Sequence, residues 1–323
     1  MLSRTADHLF WMARYTERAE NTARMLDVSL QTSLLPQSEA SVELLWRGIL
    51  GICELQSQYD ARFQRLAAEP VMAFMATDPS NPSSIYSCLL AARENARAVR
   101  GKLTTEVWET TNSTWLELRG QIASAGRNPS RFFEWVKHRA HLARGVLVGT
   151  MLRDEALHFS RLGTFLERAD NTARILDVRY HALADRGAPD TDVRQEGEHG
   201  DHMDFYHWAA VLRSVSAFEI YRKVYSDAIT PARVAELLIL RPDMPRSLLS
   251  CMNEVVANLD KVRNDHSGET ERRAGQLRAD LGYGRIDGIL QGGLHAYLTN
   301  FLQRVNDLGD RISRDFLVPF ATV

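Results

Sequence analysis

The chain has 323 residues, of which 45% are hydrophobic and 25% charged, and its formal net charge is −2 at pH 7. This composition predicts a globular protein with a sizeable core and excludes a chain-wide basic surface, so no nucleic-acid partner is expected. Three scattered cysteines, an opening without a secretory signal and the lack of a long apolar run predict a cytoplasmic protein without a membrane partner.

The apolar residues between positions 9 and 30 recur at spacings of three and four, which predicts a long amphipathic helix with small Ala19 and Ala23 at its centre. A similar stripe over 159–176 predicts a second helix of this kind. Proline-marked turns separate further helical patterns, and no alternating strand pattern is found. These further helices are predicted at 42–66, 84–119, 130–148, 205–226, 231–240, 246–263, 270–281 and 286–317. The sequence therefore predicts an all-α helical bundle.

An internal repeat is the clearest pattern in the chain. Residues 17–28 and 167–178 are identical at ten of twelve positions, with an offset of 150. A second match, at an offset of 163, relates Pro79, Pro82, Ser84, Ser87 and Cys88 to Pro242, Pro245, Ser247, Ser250 and Cys251. The pattern predicts two tandem pseudo-symmetric repeats, 1–150 and 151–323, packed as one compact unit. The second repeat carries a polar loop at 185–204.

Both repeated helices carry a charged face besides the apolar stripe. The residues of these faces are Arg14, Glu17, Arg18, Asn21 and Arg24 in the first copy and Glu167, Arg168, Asn171 and Arg174 in the second. Adjacent residues of a helix point about 100° apart, so Glu17 and Arg18 should not pair with each other. Two interpretations follow: a buried ion-pair network between the halves, or a ligand or catalytic face with Glu17 or Glu167 as the candidate catalytic group.

Arg93, Arg97 and Arg100 share one helical face, where like charges repel unless an anion or a counter-charge lies between them. One interpretation is a phosphate or carboxylate site. The other is neutralisation by polar neighbours further along the chain, namely Glu106, Trp108, Glu109 and Asn112.

A second-half patch contains Arg213, Glu219 and Arg222, and its composition is more typical of hydrogen bonding around a core than of catalysis. Glu155 and His158 have the spacing of half a di-iron site, but Thr5 replaces the glutamate in the other copy, so no metal site is predicted. The loop histidines His199, His202 and His207 are expected to be solvated. No nucleophile or phosphate-loop motif is found, and the sequence does not establish catalysis.

Residues 3–21 of this sequence resemble the opening of the bacterial alpha-E family, a helical domain with a Glu-Arg motif. The runs 92–97, 154–155, 167–170 and 245–247 are also similar to the family pattern. The resemblance implies association with circularly permuted ATP-grasp proteins, and transglutaminase-like and proteasome-like peptidases are often encoded nearby. ATP-grasp enzymes activate a carboxylate as an acyl phosphate and join it to an amine. The resemblance therefore implies a part in making a peptide or amide, with ATP and Mg bound by the ligase partner rather than by this chain.

Three functions are compatible with these features. The first is an accessory subunit of an ATP-grasp amide or peptide ligase, with an arginine-rich site for an anionic substrate, intermediate or peptide. The second is an independent enzyme that acts on an acyl phosphate or amide, with Glu17 or Glu167 as general base. The third is a structural scaffold in which the Glu-Arg helices only hold the bundle together.

Overall fold

A computed structural model describes residues 1–184 and 199–317, without the side chains at 124, 179–184 and 199–204. Within these residues the chain forms fifteen α-helices and no strand, which confirms the all-α prediction. The helices are α1 (Ser3–Ser33), α2 (Glu39–Ile52), α3 (Gln56–Asp60), α4 (Ala68–Ala76), α5 (Ile85–Ala98), α6 (Thr105–Ala125), α7 (Pro129–Thr150), α8 (Glu155–Ala184), α9 (His199–Ser214), α10 (Phe218–Tyr225), α11 (Pro231–Leu240), α12 (Leu248–Val262), α13 (Gly268–Gly282), α14 (Ile286–Gln291) and α15 (Leu294–Ile312). In this part of the chain, no helix combines the length and the apolar character needed to cross a membrane.

Several helices begin at the polar residues that the sequence suggests. The side chains of Ser84 and Ser247 accept hydrogen bonds from backbone N–H groups three residues later, at the starts of α5 and α12. Thr230 caps α11 in the same way, with Pro231 in the first turn. Each cap satisfies a backbone donor that the helix itself leaves unpaired. Local sequence is therefore enough to place these three helix starts.

Two of the predicted long helices, 42–66 and 205–226, are each interrupted by a residue in the left-handed conformation. Glu54 follows α2 with φ of 56°, and Ser216 follows α9 with φ of 55°. In both turns the next backbone N–H reaches back to the carbonyl five residues earlier, Leu55 to Leu50 at 2.9 Å and Ala217 to Leu212 at 2.7 Å. This is the hydrogen-bond pattern of a Schellman stop, which usually uses glycine. The prediction of uninterrupted helices was wrong because neither stop carries that glycine signal.

The predicted helices 84–119 and 286–317 are also divided. A 3₁₀ turn at Arg100–Lys102 separates α5 from α6, and Gly293, with φ of 91°, separates α14 from α15. Helix α4 was not predicted. Of the predicted polar loop, 185–198 lie outside the described residues, whereas 199–204 belong to α9 rather than to a loop.

Helices α1 and α8 lie at the centre of the molecule and pack directly against each other. Helix α1 also contacts α5 and α7, while α8 also contacts α12 and α15. Gly163 makes the contact between the two central helices close, because a Cβ atom there would overlap the carbonyl oxygen of Phe10. Such an approach of two backbones requires glycine at one of the facing positions.

The buried apolar side chains form two cores with α1 between them. Ala19, Ala23 and Leu26 face a core built from first-half helices, as the predicted stripe requires. Leu9 and Met12 face the other core, which contains the second-half helices. Because α1 contributes to both cores, its charged residues are carried into the interior of the protein.

Candidate functional site

The Glu-Arg motifs of α1 and α8 exchange partners across the contact between the two helices. Arg18 donates from Nε to Oε1 of Glu167 at 2.5 Å and from Nη2 to Oε2 at 3.1 Å. Arg168 donates in the same way to the two carboxylate oxygens of Glu17, both at 3.0 Å. Each arginine thus makes a two-point contact with the glutamate of the other helix. Neither arginine pairs with the glutamate beside it in sequence, as the helical geometry predicts.

Glu17 and Glu20 of α1 form what we call the first carboxylate pair. Arg246, from the turn before α12, reaches both of its members: it donates to Glu17 at 2.8 Å and to Glu20 at 2.7 Å. The same guanidinium donates to Oδ1 of Asn21 at 2.9 Å. Arg144 of α7 also donates to Glu17, at 2.8 Å, and to Glu20. Two arginines that are distant in sequence, one from each half of the chain, therefore bind both carboxylates of this pair.

Both members of the first pair are held in the ionised form. Burial alone would raise the pKa of Glu17, but the guanidinium groups of Arg168 and Arg246 outweigh it and lower the pKa to about 2. Burial is likewise outweighed at Glu20, where Arg246 and a hydrogen bond from His141 hold the pKa well below its usual range. A buried carboxylate with this many cationic partners is a structural ion-pair centre.

Glu167 and Asp170 of α8 form the second carboxylate pair. Besides Arg18, Glu167 accepts a hydrogen bond from Nε of Arg14 at 2.8 Å. Asp170 accepts from Nε of Arg174 at 2.8 Å, and Arg174 also binds Glu54 at 2.5 Å. The partner of Asp170 is thus shared with a third carboxylate.

The two members of the second pair have opposite pKa shifts. Burial raises the pKa of Glu167, but the adjacent Arg14 and Arg18 reverse this effect and lower it. At Asp170 burial dominates, and Arg174 offsets it only in part, so that the pKa is raised. Asp170, whose side chain is 17% exposed, is therefore the carboxyl of the two pairs whose negative charge is least compensated.

A cavity of about 180 Å³ lies beside the second carboxylate pair, between α1, α8, the end of α2 and the turn before α5. Its lining residues are Arg18, Asn21, Thr22, Met25, Ile52, Cys53, Glu54, Ser83, Glu167, Asp170, Asn171 and Arg174. Asn171 is only 8% exposed, and its Nδ2 atom is buried without a hydrogen-bond partner. Burial raises the pKa of the Cys53 thiol to about 12, so this side chain is a thiol rather than a reactive thiolate.

The charged positions predicted on the two repeated helices meet at this centre. Arg24 binds Glu20 at 2.6 Å, one helical turn away, which matches the contact of Arg174 with Asp170. The structure therefore contains the buried ion-pair network between α1 and α8 that the sequence allowed. A ligand-binding role of these residues would depend on the cavity beside the second carboxylate pair.

The predicted anion-binding arginines lie elsewhere, on α5 and the following turn. Arg93 and Arg97 both bind Glu94, at 2.6 and 2.5 Å. Glu94 belongs to the same helix and was not among the expected counter-charges. Arg97 and Arg100 are exposed. Their role in anion binding stays a prediction.

Two neighbours expected from the sequence do contact this cluster. Asn112 accepts a hydrogen bond from Nε of Arg93 at 3.0 Å. The guanidinium of Arg100 lies 5.2 Å from the ring centroid of Trp108, within the range of a cation–π contact. Both of these neighbours are uncharged, and the carboxylate that pairs with Arg93 and Arg97 is Glu94.

The second-half patch is divided between two helices. Arg213 belongs to the last turn of α9 and lies over the ring of Phe218, 4.6 Å from its centroid. Glu219 and Arg222 belong to α10, beyond the left-handed Ser216, and line an open surface groove of about 670 Å³. These three residues therefore do not form one continuous helical face.

Sequence reasoning overlooked several residues of the central site. They are Glu20, Ser83, Arg144, Asp170 and Arg246. The sequence did carry a signal for four of them. Glu20 and Asp170 occupy one of the two positions at which segments 17–28 and 167–178 differ, and both are acidic. Ser83 and Arg246 occupy matching positions in the second repeated motif and differ in residue type. Nothing in the sequence around Arg144 connects it to α1, because the contact spans 127 residues.

The Glu155–His158 spacing does not create a ligand group. His158 lies with Nδ1 2.8 Å from Oδ1 of Asn258, and His8 has the same contact with Asn95. Over residues 1–184 and 199–317, no group of three or more histidine, cysteine, aspartate or glutamate side chains is placed to hold a metal ion. The side chains of His199 and His202 lie outside the described part, and His207 is half-buried.

Comparison with known proteins gives one family and a small set of distant relatives. The family model named Alpha-E, described as a predicted alpha-helical domain with a conserved ER motif, matches residues 1–317. Uncharacterized proteins of Mycobacterium bovis and Mycobacterium tuberculosis are 22% identical to 94% of this chain, which covers 35% of their length. The chain thus spans about a third of the curated relatives that it matches. No solved structure matches it.

Proposed function

The chain belongs to the Alpha-E family, and from this membership we propose that it is an accessory subunit of an ATP-grasp amide or peptide ligase. In this proposal it holds a small polar ligand in the cavity beside the second carboxylate pair. ATP and Mg are bound by the ligase partner, which forms the acyl phosphate and the amide bond. The site of action is the cytoplasm, without nucleic acid or membrane.

The observation that carries a binding role is the open polar cavity between the two Glu-Arg helices. A purely structural network would be expected to fill the interior, as Arg144 and Arg246 do beside the first carboxylate pair. Beside the second pair, a space of about 180 Å³ is instead lined by charged side chains and by Asn21 and Asn171, whose buried Nδ2 donors have no hydrogen-bond partner. Concave sites with a few converging polar groups are typical of small-molecule binding.

Two observations support a partner. The relatives are about three times as long as the segment they share with this chain, so that this kind of domain occurs beside other segments in them. The resemblance of the opening motif implies an ATP-grasp neighbour. In the proposal that neighbour forms the acyl phosphate and the amide bond, for which no catalytic motif was recognised in this chain. An arginine-rich contact surface for that partner or for its anionic intermediate is available on α5 and the following 3₁₀ turn, where Arg97 and Arg100 are exposed.

The proposal also includes descent of the two halves, 1–150 and 151–323, from one repeated unit. Matched contacts support it. Tyr59 and Tyr221, which are 162 positions apart, are both fully buried, and each donates from its hydroxyl to a backbone carbonyl at 2.8 Å. The stops at Glu54 and Ser216 are separated by the same 162 positions.

The alternative of an independent enzyme requires a carboxylate whose pKa lies near the working pH. Neither candidate general base has one: the pKa of Glu17 is lowered to about 2, and that of Glu167 is also lowered. The alternative of a pure scaffold accounts for the first carboxylate pair but leaves the cavity beside the second without a role. Both observations favour the accessory subunit.

The test is co-expression with an ATP-grasp protein encoded in the same genome, purification by a tag on one partner, and measurement of ATP turnover over a panel of amino acids and peptides. We expect co-elution and a turnover that depends on this chain. Asp170→Asn should raise the substrate concentration needed for half-maximal ATP turnover without abolishing co-elution. The double variant Arg93→Ala with Arg97→Ala tests the contact surface on α5. A lack of association and an unchanged turnover would contradict the proposal.

A further inference from the structure

Ser83 and Arg246 occupy matching positions in the two halves of the chain. They are 163 residues apart, each follows a proline, and each precedes a serine whose side chain caps the next helix. The backbone framework of the two turns is therefore similar, whereas the side chains differ completely in reach and charge. One turn carries a guanidinium group into the interior, and the other carries only a hydroxyl.

Beside the first carboxylate pair, the guanidinium of Arg246 binds three acceptors. It donates to Glu17, Glu20 and Asn21 at distances of 2.7 to 2.9 Å, and its side chain is 8% exposed. A planar fork of N–H donors is suited to several converging oxygen acceptors. The three acceptors on α1 thus form a ready-made guanidinium site, which Arg246 fills.

Beside the second carboxylate pair, the corresponding acceptors are present and the guanidinium is missing. Glu167, Asp170 and Asn171 stand at the positions of Glu17, Glu20 and Asn21 in the repeated segment. All three of the former line the cavity, together with Ser83.

The cavity has unused capacity for hydrogen bonding and for charge. In the described part of the chain no side chain donates to Oδ1 of Asn171, so this acceptor is open to a donor of a ligand. Its Nδ2 donor is buried without a partner, as is Nδ2 of Asn21, whose Oδ1 accepts from Arg246. Burial raises the pKa of Asp170, the opposite of the shift at Glu20. The volume of about 180 Å³ is several times the roughly 30 Å³ that one water occupies in the liquid. It can therefore accommodate a planar head group with part of an alkyl chain.

From these observations we infer that the cavity beside the second carboxylate pair binds the guanidinium group of an arginine side chain or an arginine-derived ligand, in the place that Arg246 occupies beside the first pair. This inference rests on the proposed function, because it names the ligand class of the same cavity. In that setting the ligand is a free arginine derivative or an arginine residue of a peptide presented to the ligase.

The charges around the cavity favour a cation over an anion. Three carboxylates line it, and its two arginines, Arg18 and Arg174, already bind those carboxylates. An anion would meet the Nδ2 donors of Asn21 and Asn171, but it would have to compete with Glu167 and Asp170 for the guanidinium donors. A guanidinium instead meets Oδ1 of Asp170 and Oδ1 of Asn171, which accept no side-chain hydrogen bond in the described part of the chain, whereas Glu167 already accepts three.

The test uses the purified full-length chain and measures binding by calorimetry, with four probes. These are Nα-acetyl-arginine amide, its neutral isostere Nα-acetyl-citrulline amide, Nα-acetyl-lysine amide and inorganic phosphate. We expect the arginine probe to bind at least about tenfold more tightly than the citrulline and lysine probes, a difference of about 1.4 kcal/mol. Phosphate should not bind at this site. Equal binding of the arginine and citrulline probes, preferred binding of phosphate, or no binding of the arginine probe would overturn the inference.

Ser83→Arg provides the decisive variant, because it places a guanidinium at the position that Arg246 holds in the other half. It should abolish binding of the arginine probe and raise the melting temperature. Ser57→Arg is the matched control, since it adds an arginine at an exposed position of α3 outside the cavity, and it should leave binding unchanged. Retained binding in Ser83→Arg would overturn the inference.

Asp170→Asn supplies an independent variant if Ser83→Arg does not fold. It should weaken the arginine probe at least about tenfold while the helical circular dichroism is unchanged; unchanged affinity would count against the inference. These measurements need no ligase. A failure here therefore overturns the ligand class alone, whereas a failure of co-elution and ATP turnover overturns the accessory role.

Discussion

The two carboxylate pairs begin from nearly the same helical sequence and have different environments. The first pair is closed by Arg144 and Arg246, which come from α7 and from the turn before α12. The second pair borders an open cavity, which is lined by Ser83 of the corresponding turn. The comparison teaches that a repeated motif determines which acceptors are presented, whereas segments far away in the chain determine whether those acceptors become structural or remain available.

Arg246→Ser would convert the first pair to the arrangement of the second. Two buried carboxylates would lose a shared guanidinium, and we expect the free energy of unfolding to fall by about 3–5 kcal/mol. Urea denaturation measures this change. Ser83→Ala is the control and should alter stability by about 0.5 kcal/mol or less. A loss below about 1 kcal/mol in Arg246→Ser would show that the first pair does not depend on this residue.

Glu17 of the first pair and Asp170 of the second should change the stability of the protein in opposite directions as the pH rises. The pKa of Glu17 is lowered from 4.5 to about 2 by the arginines that outweigh its burial. A lowered pKa contributes stability above pH 4.5 that is lost as the pH falls towards 2, by about 3 kcal/mol. Asp170 has a raised pKa, so its contribution is present at low pH and is lost as the pH rises.

Thermal unfolding between pH 2 and pH 5 tests the contribution of Glu17. Glu17→Gln should lower stability at pH 5 more than at pH 2, because the glutamine cannot ionise at either pH. A variant whose loss of stability is the same at both values would contradict the assignment of Glu17 as the ionised centre of the first pair.

Gly163→Ala tests the close contact that brings the two pairs together. The added methyl group would overlap the carbonyl oxygen of Phe10, and we expect a loss of roughly 1–3 kcal/mol. Gly120→Ala is the matched control, because that helical glycine is exposed and has open space around it. The control should be neutral or slightly stabilising. Equal effects of the two variants in denaturant titration would show that α1 and α8 can separate without cost.

Replacing the second acidic residue of each pair, Glu20 or Asp170, by its amide should lower the free energy of unfolding by unequal amounts. Glu20→Gln takes away the ionised partner of Arg246, whereas Asp170→Asn removes a carboxyl that burial already disfavours in its charged form. We expect Glu20→Gln to be less stable than Asp170→Asn by at least about 1.4 kcal/mol at pH 7, the equivalent of one pKa unit. A reversed order would mean that the second pair is the structural one.

Arg97→Ala should have the smallest effect on stability. Its side chain is 64% exposed and its partner Glu94 lies on the same helix surface, so a change of about 0.5 kcal/mol or less is expected. If Arg97→Ala is as stable as the unchanged protein but co-elutes less with the ATP-grasp partner, Arg97 belongs to the contact surface for that partner.

Much of the fold could be predicted from the sequence because helix formation is local. The stripes of α1 and α8, the caps at Ser84, Ser247 and Thr230, and the all-α class depend on residues within a few positions of one another. The helix stops at Glu54 and Ser216 could not be predicted in this way. Both adopt the left-handed conformation without glycine, which only the surrounding packing can impose.

The sequence by itself determined that two Glu-Arg helices exist and that their glutamates and arginines cannot pair with their own neighbours. Only the tertiary structure decided that Glu17 meets Arg168, Arg144 and Arg246, the last of them 229 residues away in the chain. The physical reason is that a buried charge is stabilised by whichever partners the packed helices bring within hydrogen-bond distance, and helical periodicity carries no information about those partners. The same reason applies to the cavity, whose lining combines Ser83 from the turn before α5 with Asp170 from α8.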